Sequence, residues 1–152
     1  MRAPPVTAVV FDLPQVVPLS RGYIQSAGFS AQVEVVAGDY THHELGRGFD
    51  LAFLSSVVHS NSYEANRQLI RKAADALNPG GRVVVLDSLM SEDRSGPLAG
   101  ALFAINMLVG TESGDTYTAS EVHAWMIDAG LADISRVDTP FGTSLMIGRG
   151  PR

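Results

Sequence analysis

Short apolar runs alternate with helix-spaced apolar positions along most of this chain. Residues 6–11 (VTAVVF) are rich in β-branched side chains and bounded by Pro5 and Asp12, which predicts a strand buried on both faces. Residues 17–27 carry apolar positions at mixed helical spacing and stop at Gly28, a residue common just past a helix end. Residues 32–37 (QVEVVA) predict a second strand and residues 49–54 (FDLAFL) a third, with a polar, glycine-containing link over 42–48. The clearest helix covers residues 62–77, where Ala65, Leu69, Ile70, Ala73 and Leu77 share one face. Asn61 is placed to cap it, Glu64 stands three residues on, and Asn78-Pro79-Gly80-Gly81 ends it. Residues 82–86 (RVVVL) predict a fourth buried strand, closed by Asp87.

Beyond a polar stretch, residues 97–109 are apolar nearly all round, which predicts a helix buried on several sides or covering a ligand. Thr118 and Glu121 form a capping box that opens a further helix to about residue 129, closed by Gly130. Residues 134–137 and 143–147, joined across Pro140-Phe141-Gly142, read as an antiparallel hairpin. The alternation makes the fold α/β, with no repeat or linker, so residues 1–152 count as a single domain. Trp125 is expected to pack its helix on the sheet, and Met90, Met126 and Met146 to fill the core.

Composition narrows the function classes. The 152 residues are 45% hydrophobic and 18% charged, enough to bury a core. A net charge of −5, with only 11 scattered Lys and Arg, sets nucleic acid aside as a partner. No apolar run reaches the roughly 20 residues that span a bilayer, and residues 1–5 lack the apolar core of a secretion signal, so a cytoplasmic protein without a membrane partner is expected. The absence of cysteine excludes disulfide and thiolate chemistry.

The candidate chemistry lies at strand ends. Asp12 follows the first strand, Asp39-Tyr40 the second and Asp87 the fourth. In an open parallel sheet the carboxyl ends of the strands form the ligand crevice, so such acids can accept hydrogen bonds from a nucleoside. Taken singly, each could equally be a turn or capping acid. Only eleven residues precede Asp12, and they hold no strand followed by a glycine-rich turn. His59, just after the third strand, has the side chain best suited to acid–base work near neutral pH, with a structural capping role as the plain alternative. His42, His43 and Glu44 are neighbours in a loop with no usefully spaced third ligand, so no metal is expected.

The segments FDLPQVV, VVAGDY, FDLAFLSSVVHSNSYEANRQLIRKAADALNPGGRVVVLDSLM and TYTASEVHAWMIDAGL, in this order, resemble the carboxyl-terminal half of a class I S-adenosylmethionine-dependent O-methyltransferase of the plant caffeic acid and bacterial polyketide-tailoring type. The resemblance implies a partial Rossmann-like sheet, mostly parallel with an antiparallel carboxyl-terminal hairpin. It implies S-adenosyl-L-methionine as cofactor, with Asp12 at the ribose, Asp39 and Tyr40 beside the adenine, and Ser55 where plant members often carry lysine. It makes His59 the general base, Asp87 an acid that orients it, and Phe103 and Met107 part of the acceptor pocket.

The implied reaction is methyl transfer to a hydroxyl of a small aromatic or polyketide-like molecule, in secondary metabolism, with a homodimer in the full-length form. The family's glycine-rich loop and helical dimerisation domain would precede Asp12, so the resemblance also implies a truncated domain whose central strand is lacking. Where the plant pattern reads His-Asp-Trp, this chain has His59-Ser60-Asn61, and Thr116 stands nearest the second supporting acid. Two other readings stay open: a non-catalytic remnant or partner subunit that completes its sheet with a separate amino-terminal chain, and a relative turned to decarboxylation or hydroxylation.

Overall fold

The computed structural model describes residues 6–152; residues 1–5, read above for an export signal, lie outside the described residues. The chain divides into two compact units, Met1–Leu45 and Gly46–Arg152.

The first unit is a strand–helix–strand element: β1 (Ala8–Asp12), α1 (Val17–Ser26) and β2 (Val33–Ala37). β1 and β2 pair in parallel from Ala8 opposite Val33 to Asp12 opposite Ala37. Pro18 suits the first turn of α1, where its missing amide costs nothing, and Gly28 at φ +77° ends the helix in the left-handed region that glycine enters freely. Gly38 lets the chain leave β2 across the Phe11 ring, because any Cβ there would overlap the ring.

The second unit holds β3 (Phe49–Ser55), α2 (Tyr63–Asp75), β4 (Leu77–Asp87), α3 (Leu98–Gly110), α4 (Ala119–Asp128), β5 (Ala132–Asp138) and β6 (Ser144–Arg149). A short 3₁₀ turn, Val58–Ser60, links β3 to α2. The four-stranded sheet runs β3-β4-β6-β5, with β3 parallel to β4 and β6 antiparallel to both β4 and β5. Leu69, Ile70 and Ala73 of α2 and Val122, Trp125 and Met126 of α4 are buried, as are Val83 and Val85 of β4 and Met146 of β6. Period-two burial along β4 and helical burial on α2 and α4 thus converge on one core. Trp125 sits between Tyr63 and Tyr117 in edge-on contacts with centroids 5.0 and 4.8 Å away. Among the described residues, no helix is long and apolar enough to cross a membrane.

Three expectations change besides the burial of β1, whose residues are exposed or half-buried and not buried on both faces. Ser62, not Asn61, caps α2, accepting from the Ala65 amide at 3.2 Å, while the Asn61 side chain turns inward to Asn66. β4 begins at Leu77 and runs through Asn78-Pro79-Gly80-Gly81, five residues before the β-branched run. Gly81 makes that passage feasible, since a Cβ there would press on the carbonyl oxygens of Asn78, Phe49 and Asp50 at 3.0–3.2 Å. Third, α3 is not buried on several sides: within this unit only Gly100 is buried, and Leu98, Leu102, Ile105 and Val109 are 59–82% exposed. An all-round apolar pattern reports an aversion to water, not which surface removes it.

The capping box of α4 is complete, the Glu121 amide donating to Thr118 Oγ1 at 3.2 Å and the Thr118 amide to Glu121 Oε2 at 2.7 Å. Thr118→Ala is expected to cost about 1 kcal/mol. Urea denaturation followed by circular dichroism checks this, and an unchanged midpoint would contradict the cap's contribution.

Candidate functional site

In the first unit the parallel register brings Asp12 and the segment Gly38-Asp39-Tyr40 to the same end of the β1–β2 pair. The Gly38 amide donates to the Asp12 carbonyl at 2.8 Å, holding the two exits side by side. Asp12 Oδ1 accepts from the Leu13 amide at 2.8 Å, which fixes the carboxylate at the strand tip and leaves its second oxygen available to accept. Asp39 is more heavily engaged. Its Oδ1 accepts from the Thr41 amide at 2.8 Å and the Thr41 hydroxyl at 2.6 Å, and His42 Nδ1 lies 3.1 Å from Oδ2. Tyr40 beside it is half-buried.

The Thr41 hydroxyl first, then the Thr41 amide and His42, hold the Asp39 carboxyl down to about 2. A depressed carboxyl stabilises the fold above its unfolded value and loses that contribution as pH falls through the folded one. The Asp39 loop is therefore expected to keep this support at neutral pH and lose it on acidification from about 4 towards 2. A carboxyl carbon titration by NMR reads the midpoint directly, and one at the ordinary value of about 4 would show that the Thr41 contacts do not persist in solution.

In the second unit the carboxyl ends of β3 and β4 are in register, with Ser55 opposite Leu86 and Asp87 following. Ser55 lies exposed at the tip of β3, and Ser56 next to it takes φ +53°, a left-handed conformation uncommon outside glycine, with its amide bound to the Leu86 carbonyl at 2.9 Å. The chain there turns sharply into the 3₁₀ turn that carries His59. His59 Nδ1 lies 2.9 and 3.0 Å from the two oxygens of Asp87, with the imidazole 16% exposed and the carboxylate 4%. A carboxylate only accepts, so Nδ1 carries a proton, and in the neutral ring it is Nε2 that holds the lone pair. Asp87 is itself fixed by the Ser88 amide, 2.8 Å from Oδ1.

Phe103 on α3 meets the His59 ring edge-on, centroids 4.8 Å apart, and restricts its rotation. Met107 lies one turn further along α3, half-buried, with its carbonyl accepting from the Thr111 hydroxyl at 2.7 Å. The structure therefore gathers Asp12, Asp39 and Tyr40 at one strand end of the first unit. His59, Asp87 and Phe103 are in mutual contact in the second unit, with Ser55 at the neighbouring strand tip and Met107 on the helix that carries Phe103.

Sequence reasoning missed the buried polar residues behind His59. Asn66 is wholly buried, donating to the Val58 carbonyl at 2.8 Å and accepting from the Asn61 side chain at 3.0 Å. Its signal was present, because Asn66 lies three and four residues before Leu69 and Ile70 on the apolar face of α2.

Comparison with known proteins fits this geometry. Residues 1–132 match the O-methyltransferase domain family. The chain is 36% identical over 134 residues to a 3-hydroxy-5-methyl-1-naphthoate 3-O-methyltransferase of Streptomyces sahachiroi, covering 88% of this chain and 39% of that protein. It is 32% identical over 149 residues to the tetracenomycin polyketide synthesis 8-O-methyl transferase of Streptomyces glaucescens, covering 98% of this chain and 44% of that one. The crystal structure of human N-acetylserotonin methyltransferase in complex with SAM matches with a TM-score of 0.84 at 30% identity, over 96% of this chain and 41% of that one. The chain thus spans about two fifths of the length of the relatives it matches. With the match running from the first strand through the capped helix α4, the chain belongs to the O-methyltransferase domain family and has the Rossmann-like α/β fold of S-adenosylmethionine-dependent methyltransferases.

Proposed function

We propose that this chain carries the catalytic part of an S-adenosyl-L-methionine-dependent O-methyltransferase acting on a hydroxyl of a small aromatic or polyketide-like molecule, with His59 as general base. The observation that carries this reading is the part-buried His59–Asp87 pair, which leaves Nε2 as the proton-accepting nitrogen. The donor set suits the cofactor: Asp12 retains an uncommitted carboxylate oxygen at a strand tip, where ribose hydroxyls can donate, and Asp39 is held ionised. Tyr40 completes the cofactor contacts of the first unit in this reading, and Ser55 is the cofactor residue proposed in the second. The naphthoate and polyketide relatives support a phenolic acceptor.

When bound, S-adenosyl-L-methionine supplies a methyl group on a positively charged sulfur, an electrophile open to direct attack by oxygen. His59 Nε2 accepts the proton of the acceptor hydroxyl, and Asp87 holds the resulting imidazolium in place. Phe103 and Met107 supply apolar contacts to the acceptor, and Phe103 limits water around the imidazole.

The test is calorimetric titration of S-adenosylhomocysteine, followed by a screen of phenolic acceptors with mass detection of a gain of one methyl group, in the protein that carries this chain. Binding without methylation of any hydroxyl would reject the O-methyltransferase reading while leaving the cofactor reading intact. A second reading is favoured by the strand edges, because among the described residues β1 pairs only with β2 and β3 only with β4. A partner subunit that adds a strand to such an edge would complete the sheet. Cofactor binding that appears only after such a partner is added distinguishes this reading from the first.

A further inference from the structure

We propose that Asn66, with Asn61 and Tyr117, forms a buried clamp that positions His59. This rests on the assignment of His59 as base and concerns how its imidazole is held. The 3₁₀ turn Val58–Ser60 is three residues long, and such turns have poor hydrogen-bond geometry and little rigidity of their own. Here the carbonyls around His59 are tied from outside. The Val58 carbonyl accepts from Asn66 Nδ2 at 2.8 Å, the His59 carbonyl from the Asp115 amide at 3.1 Å and the Asn61 carbonyl from the Tyr117 hydroxyl at 2.6 Å. Asn61 Nδ2 closes the circuit on Asn66 Oδ1 at 3.0 Å. Gly114 lets the 111–117 loop approach the His59 carbonyl closely, since a Cβ at Gly114 would collide with it.

An apolar side chain would fill the Asn66 position as well, because its neighbours on α2 are Leu69, Ile70 and Ala73 and the residue is wholly buried. An amide there must be repaid in hydrogen bonds, and both of the bonds shown go to the turn that bears His59 or to its next residue. Tyr117 is suited to the same task. Burial first, then the nearby charges of Asp115 and Glu121, push its hydroxyl up to about 12, so it remains a donor across the working range of pH. With its carbonyls fixed, the turn holds the His59 backbone where Nδ1 faces Asp87, and rotation of the ring itself is opposed by the Asp87 bond and by Phe103.

Asn66→Leu tests the clamp, because leucine restores volume and apolar packing but removes both hydrogen bonds. Long-range proton–nitrogen NMR of the neutral imidazole reads its tautomer without any reaction taking place. The wild-type protein is expected to show one species, protonated on Nδ1. Asn66→Leu is expected to show a mixture of tautomers, with a lowered denaturation midpoint because the Val58 carbonyl and the Asn61 side-chain amide lose their bonds to Asn66. Turnover is expected to fall on the order of 10²-fold, with KM for the cofactor unchanged. Tyr117→Phe removes the 2.6 Å bond to the Asn61 carbonyl together with the hydroxyl's interaction with Asn66, and provides the same readout if Asn66→Leu does not fold.

A single Nδ1-protonated tautomer in the folded variants overturns the proposal, as does a mixture already present in the wild type. A tautomer change in a protein that methylates no hydroxyl leaves the clamp standing and removes the proposed function instead.

Discussion

His59→Ala is expected to lower turnover about 10²–10⁴-fold while leaving the affinity for S-adenosylhomocysteine unchanged, the signature of a lost general base. The alanine variant also strips a nearly buried carboxylate, Asp87, of its imidazole partner, so part of any loss could come from a disturbed fold. His59→Asn separates the two effects. Its side-chain amide lies close to where Nδ1 was and can still donate to Asp87, but no nitrogen remains at the Nε2 position to accept a proton. It is expected to fold more stably than His59→Ala and to be as poor a catalyst. Steady-state kinetics beside thermal unfolding decide the matter: methylation at the full rate by a folded His59→Asn would remove His59 from the mechanism. Proximity would then account for the rate, with Phe103 and Met107 as the next groups to vary.

The strands and the long helices were legible because their signals are local. Residues 32–37 and 49–54 are short apolar runs, and α2 declares itself through Ala65, Leu69, Ile70 and Ala73. The capping box at Thr118 and Glu121 needed only two residues three apart and is found as read. Boundaries set by competition were less legible. Ser62 and Asn61 are both good caps, and the choice between them depends on Asn66, five residues past Asn61, which engages the asparagine amide. The start of β4 at Leu77 depends on pairing with Phe49, a contact across 28 residues that no local propensity encodes.

The pairing of His59 with Asp87 was implied by the family resemblance and not by local pattern, and its distance was not legible, because the intervening turn is set by Ser56 and by the Asn66 clamp. The exposure of α3 was not legible either. A stripe containing Leu98, Leu102, Ile105 and Val109 demands a cover, and the identity of the cover is not written in the helix.

Trp125→Ala is expected to destabilise the second unit by about 3–5 kcal/mol, the largest stability effect anticipated for a single substitution here. The indole is wholly buried and shares edge-on contacts with Tyr63, at the start of α2, and with Tyr117. Its removal opens a large cavity where α2 and α4 meet and loses both aromatic contacts. Trp125→Phe should be far milder, at about 1–2 kcal/mol, because it keeps most of the apolar surface and deletes a buried donor, Nε1, that has no hydrogen-bond partner among the described residues. The pair of variants also connects packing with the site: Tyr117 rests on Trp125 and donates to the Asn61 carbonyl beside the His59 turn. Trp125→Ala should therefore perturb the His59 tautomer even at temperatures where the unit remains folded, whereas Trp125→Phe should not. Urea denaturation of both variants measures the first expectation and imidazole NMR the second. A loss below about 1 kcal/mol for Trp125→Ala would mean that Tyr63 and Tyr117 close over the vacated space, and that the core does not depend on the indole for its shape.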